Sequence, residues 1–173
     1  MEHHKGYIHL YTGNGKGKTT AAIGLALRAA GAGKKVFIAQ FVKGLPYSEL
    51  EVLKKIAKIT VKQYGLDCFI KNQPTQKDIL AAQKGFTEVT ALITQNKYDL
   101  IVLDEICIAL HYNLIDAKEL YHLLQLKPEP MELVLTGRYA SPELYEHVDL
   151  LTEMKELKHY YQKGVEARKG IEY

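Results

Sequence analysis

Short apolar runs separated by longer stretches of helical period set the plan of this chain. Residues 7–11, Tyr-Ile-His-Leu-Tyr, alternate as a strand does. Residues 19–32 are rich in Ala, Leu and Ile and meet Gly31 and Gly33, which predicts a helix with a stop signal. Residues 35–40 are nearly all apolar within, as a parallel strand buried on both faces should be. A helical period through Leu50, Leu53 and Ile56 predicts a helix over 46–58, and 59–64 alternate as a third strand. Residues 65–73 read as a loop. Thr75, with Asp78 three residues on, predicts a capped helix to about Asn96, its inner face formed by Ile79, Ala82, Phe86, Val89 and Ile93. Leu100-Ile101-Val102-Leu103 is a buried strand that ends in Asp104-Glu105. Asp116 caps a helix through Leu124, and Pro128 and Pro130 break the chain. A strand over 131–135, a short helix over 142–147 and a strand over 150–154 follow. Residues 155–173 are a polar, basic tail carrying Tyr160 and Tyr161.

Strands alternating with helices predict one α/β domain spanning 1–173, a mostly parallel sheet of about six strands with helices on both faces. In such sheets ligands collect at the carboxyl ends of the strands. Residues 12–18, 40–44, Asp104-Glu105 and Thr136-Gly137-Arg138 each follow a strand, so they are candidates for one shared cleft.

The richest of these is Thr12-Gly13-Asn14-Gly15-Lys16-Gly17-Lys18-Thr19-Thr20. Strand, glycine-rich loop, Gly-Lys-Thr and helix is the context of a phosphate-binding loop. Glycines let successive backbone N–H groups turn inward around an anion. The following helix N-terminus adds donors and about half a positive charge. Lys18 adds a full charge, and the Thr19 hydroxyl suits a magnesium ion. A P-loop NTPase-like (RecA-like) fold is the expectation. Thr12 stands where the general motif has glycine.

Asp104-Glu105 occupies the place of the acidic metal partner opposite Thr19; the plainer alternative is that Asp104 caps the segment after it. Arg28, nine residues past Thr19, and Arg138, after a strand and a glycine, are candidates for phosphate or ribose contacts. From the loop alone, a small-molecule kinase or a non-catalytic ATP-dependent switch also fits.

Composition narrows the partners. Hydrophobic residues make up 47% and the formal charge is +3, with no long Lys/Arg run, so nucleic acid is not expected. Lys54, Lys55, Lys58 and Lys62 read as a solvated helix face and its exit. Cys68 and Cys107 are isolated and expected to be reduced. No stretch approaches the ~20 apolar residues that span a bilayer, and residues 1–5, with His3 and His4, have no apolar core of a signal peptide. A cytoplasmic location is therefore expected. The histidines lack zinc spacing. Tyr47, Tyr112, Tyr139 and Tyr160 fall in loops or at segment ends, where they can cover a flat apolar ligand.

Taken in order, residues 12–22, Leu27-Arg28-Ala29-Ala30-Gly31, Gln40-Phe41-Val42-Lys43-Gly44, residues 99–105, Leu135-Thr136-Gly137-Arg138, Thr152-Glu153-Met154 and Lys169-Gly170-Ile171-Glu172-Tyr173 resemble the ATP:corrinoid adenosyltransferases. The resemblance covers nearly the whole chain, and Thr12 is shared with that family. It implies alkyl transfer: Co(I) of a corrinoid, cobalamin or cobyrinic acid a,c-diamide, attacks C5′ of ATP, and triphosphate leaves. The step needs no general base. It implies that Lys16, Lys18, Thr19 and Glu105 serve the chemistry by stabilising the leaving triphosphate, with Mg2+ (or Mn2+) on Thr19 and on Glu105 or Asp104. Thr12, Gly13, Asn14, Gly15, Lys16, Gly17, Lys18, Thr19, Thr20, Arg28 and Arg138 are the implied ATP contacts. ATP is implied to lie reversed in the loop, with which the Thr12, Asn14 and Lys16 substitutions are compatible. A flavoprotein reductant and a homodimer are implied partners. Two departures stand out. The first strand begins a few residues into the sequence, so a dimer partner or the tail is expected to cover the corrinoid in place of an N-terminal helix. Leu45-Pro46-Tyr47-Ser48-Glu49 replaces the family's more usual Gly-Glu ending after Lys43-Gly44.

Overall fold

A computed structural model describes residues 5–66 and 73–173. His3, His4, Cys68 and most of the expected loop over 65–73 lie outside them. The described residues form β1 (Ile8–Thr12), α1 (Lys18–Gly31), β2 (Val36–Phe41), α2 (Ser48–Leu53), β3 (Ile59–Tyr64), α3 (Gln76–Thr94), β4 (Leu100–Asp104), α4 (Ile106–His111), α5 (Ala117–Gln125), β5 (Glu132–Thr136), α6 (Pro142–Tyr145) and β6 (Leu150–Glu153). The strands make one sheet in the order β3-β2-β4-β5-β1-β6, and every pairing is parallel. This is the expected P-loop NTPase-like α/β architecture.

Period-two alternation divides the core between the two faces of the sheet. Phe37, Ala39, Phe41, Ile101, Leu103, Leu133 and Leu135 pack against α3, α4, α5 and α6. Val36, Ile38, Leu100, Val102 and Val134 face α1 and α2, meeting Ala22, Ala26 and Leu53. The central strands β2 and β4 are buried at every residue, which is why their sequences carry no polar alternation. All four residues of β6, an edge strand, are exposed.

The expected cap of α3 is present in full: the Asp78 N–H donates to Thr75 Oγ1, and the Thr75 N–H donates to the Asp78 carboxylate at 2.8 Å. Two elements differ from expectation. The helix expected over 46–58 stops at Leu53, where tight turns take over: Lys55 N–H donates to the Val52 carbonyl and Ile56 N–H to that of Leu53. Helix α4 was not expected. Ile106, Cys107 and Ala109 are buried and the segment has almost no polar face, so its period is silent. The polar tail folds back onto the loop after β1.

Candidate active site

β1, β5 and β4 lie side by side, and their carboxyl ends deliver Thr12, Thr136 and Asp104 to one rim. The loop 13–17 turns there through left-handed backbone at Gly13 (φ 96°) and Gly17 (φ 115°), which glycine adopts without a Cβ clash. Gly17 precedes α1 with no side-chain cap, so the first N–H groups of that helix are left for an anion. The loop is clamped from the β6 side. Met154 N–H donates to the Thr12 carbonyl at 2.8 Å, and Gly15 N–H donates to the Met154 carbonyl at 2.7 Å. A Cβ at Gly15 would stand 2.6 Å from that same carbonyl oxygen, so the clamp itself demands glycine.

Thr12 has a structural task that glycine lacks. Its hydroxyl is buried and donates to the Gly137 carbonyl at 2.9 Å, tying the end of β1 to the end of β5. Lys18 is curled over the loop, its Nζ donating to the carbonyls of Gly13 and Gly15 at 2.7 Å each. Burial, and then the positive charge of Arg138, lower its pKa. A polyanion in the loop would relieve both effects. Asn14 and Lys16, in the loop, and Thr20, in the first turn of α1, are exposed. Lys16 donates to Tyr160 Oη at 2.9 Å and to Glu172 Oε1 at 2.7 Å.

Asp104 is the hub of the acidic half. Its Oδ1 accepts from Thr19 Oγ1 at 2.8 Å and from Thr136 Oγ1 at 2.7 Å, and its Oδ2 accepts from Lys43 Nζ at 2.7 Å. Lys43 also donates to Thr19 Oγ1 at 3.2 Å and lies over the Tyr47 ring at 5.3 Å. Burial works against the Lys43 charge, but Asp104 and Glu105 outweigh it and hold the pKa above the ordinary lysine value. Asp104 therefore ends a strand and caps nothing. The residue before α4 is Glu105, in left-handed backbone (φ 59°), with its N–H donating to Thr136 Oγ1 at 2.9 Å. Burial, and then the charge of Asp104, raise the Glu105 pKa.

Not every expected contact residue gathers here. Arg138 is exposed, close enough for its charge to act on Lys18 and Glu105. Arg28 is exposed in the last turn of α1. Ten residues past Lys18, it is about 15 Å along the helix axis from the loop, and the structure does not bring it to the phosphate cradle. Tyr139 packs on His111 with ring centroids 4.3 Å apart and planes tilted by 31°, and Tyr112 meets the edge of His111 at 5.2 Å. Cys107 is free and buried, its thiol pushed up to about 12 by burial, which makes it inert.

Lys43 and Thr136 were placed near the cleft by sequence without a task, and both contact Asp104. Among the described residues no three His, Cys, Asp or Glu side chains form a metal cluster. Thr19, Asp104 and Glu105 instead offer an all-oxygen set, which suits a magnesium ion held by few protein groups and by phosphates. In this structure the Lys43 ammonium sits against two of these oxygens, Thr19 Oγ1 and Asp104 Oδ2.

Residues 4–173 match the family model for "ATP:corrinoid adenosyltransferase BtuR/CobO/CobP". The chain is 36% identical over 173 residues to a corrinoid adenosyltransferase of Sinorhizobium sp, covering 98% of this chain and 81% of that protein. It is 33% identical over 171 residues to the corrinoid adenosyltransferase of Escherichia coli strain K12, and 32% identical over 171 residues to the corrinoid adenosyltransferase CobA of Salmonella typhimurium. Each of these two alignments covers 98% of this chain and 86% of the relative. With the loop, the acid and their geometry in agreement, the chain belongs to the ATP:corrinoid adenosyltransferase family.

Proposed function

We propose that this protein transfers the 5′-deoxyadenosyl group of ATP to Co(I) of a corrinoid, cobalamin or cobyrinic acid a,c-diamide, and releases triphosphate. Cobalt supplies the electron pair for the new Co–C bond. The C5′–O5′ bond breaks, and its electrons leave on the triphosphate. No proton moves, so the site's work is to bind, orient and neutralise charge.

The observation that carries the reading is the pairing of an uncapped, glycine-turned helix N-terminus at Gly17 with Asp104 at 2.8 Å from Thr19. The loop N–H groups, Lys16 and Lys18 hold the triphosphate. Thr19 and Asp104, with Glu105 beside them, would hold Mg2+ or Mn2+, which would supply further positive charge to the leaving group. Arg138 adds charge from the end of β5. A flavoprotein that supplies the electron for Co(I), and a homodimeric assembly, complete the proposal by family reading.

Incubation with ATP, Mg2+ and chemically reduced corrinoid is expected to yield triphosphate and a light-sensitive cobalt–carbon product in equal amounts. ADP with a phosphorylated acceptor, or ATP binding without turnover, would overturn the proposal. Lys18→Ala is expected to abolish turnover, and near-normal activity in that variant would remove the loop from the mechanism.

A further inference from the structure

After β6 the chain crosses the rim as a strap. Its beginning is the Met154 clamp on Thr12 and Gly15. Its middle is a turn of 3-10 helix, Tyr160–Lys163. Its end lies at the start of α2, where Ser48 Oγ donates to the Tyr173 carbonyl at 2.9 Å. The strap thus runs from the outermost strand past the loop to the helix that follows β2.

Glu172 is the fastening point. It accepts from Lys16 Nζ at 2.7 Å, from the Tyr160 hydroxyl, and from the Arg168 N–H at 2.7 Å. The Arg168 guanidinium adds two contacts at 3.3 Å. Arg168 and Lys16 both lie over the Tyr160 ring, at 5.0 and 5.7 Å from its centroid. Arg168, Lys16 and Tyr160 together hold the Glu172 carboxyl far below the usual carboxylate range.

Lys16 sits between two glycines and has four rotatable side-chain bonds. Without a partner it has nothing to define its direction. Glu172 and Tyr160 use two of its three N–H donors and leave the third for an anion. Two cations surround one carboxylate, so the cluster keeps a net positive charge beside the loop. A competitor for the phosphate site would cancel that charge; this arrangement preserves it and gives it a direction.

We propose that Glu172 is a positioning residue of the nucleotide site, acting through Lys16. This rests on the reading that the loop holds ATP. The test is a double-mutant cycle of Lys16→Ala, Glu172→Gln and the pair, in the full chain, with Co(I) generated chemically. KM for ATP, kcat and the thermal midpoint are measured for each.

Glu172→Gln is expected to raise KM for ATP about fivefold, the factor that loss of a single exposed ion pair commands at its upper range. It is expected to change nothing further once Lys16 is alanine, and Glu172→Asp should recover part of the loss. Equal effects of Glu172→Gln with and without Lys16 would overturn the proposal, because a merely structural tail would act in both backgrounds. A fall in KM would overturn it too, by making Glu172 a competitor of ATP. The Lys18→Ala variant keeps the two readings apart. If it binds ATP normally, the loop assignment fails. If it does not, an additive cycle condemns the role of Glu172 alone.

Discussion

Asp104 and Glu105 are neighbours in sequence with different tasks in the structure. Asp104 gathers Thr19, Thr136 and Lys43 through its carboxylate, while Glu105, in left-handed backbone, gives its N–H to Thr136 and keeps its carboxyl within reach of the charges of Asp104, Lys43 and Lys18. The Lys43 side chain is 13% exposed and that of Asp104 1%, so the pair is largely removed from water. Asp104→Ala leaves a buried ammonium without its hydrogen-bonded carboxylate, and breaking such a pair typically costs about 3–5 kcal/mol. A large fall in the denaturant midpoint is expected, together with loss of turnover. The carboxylate end of β4 was legible in the sequence because an apolar run ending in two acids is a pattern. The task of Lys43 was not. Val42 adopts left-handed backbone (φ 57°), rare for a β-branched residue, and directly precedes Lys43. No pattern of residue types announces such a turn.

At the scale of elements, α3 is where propensity and packing pull in opposite directions. Gly85 lies mid-helix, where alanine would normally gain about 0.5–1 kcal/mol. Here a Cβ would stand 2.3 Å from Tyr64 Cγ. The Tyr64 ring cannot retreat easily: Phe41 lies 5.7 Å away, and its hydroxyl donates to Glu88 at 2.9 Å. Overpacking of this kind costs about 1–3 kcal/mol, so packing wins. Gly85→Ala is expected to lower the thermal midpoint by about 2–4 °C for each kcal/mol lost, as calorimetry would show. The ends of α3 and α5 could be read beforehand because Thr75 and Asp116 cap them with their own side chains. The early end of α2 could not, since it is made by backbone turns after Leu53 that any sequence can form. Helix α4 escaped for the opposite reason: it is so deeply buried that its two sides look alike.

At the scale of the whole molecule, the sheet was legible and the strap was not. Strands packed on both faces leave apolar runs of fixed period, whereas the strap joins polar groups to a polar loop. Its fastening pair, Lys16 and Glu172, is 156 residues apart, and nothing in either neighbourhood points to the other. The sheet order carries a further consequence for how the molecule comes into being. β1 is the earliest strand, but both of its neighbours, β5 and β6, are the last two. Contacts at its start already span 125 and 141 residues, from Tyr7 to Glu132 and from Ile8 to Asp149. Long-range pairing of this kind forms slowly, and chains emerge from the ribosome N-terminus first. The glycine loop is therefore synthesised before either of the strands that hold it in shape. A chain halted before Glu132 is expected to fail to retain ATP in equilibrium dialysis, although it contains every residue of the loop. Interrupted synthesis would leave β1 with both edges unpaired, a row of open backbone groups able to pair with another chain.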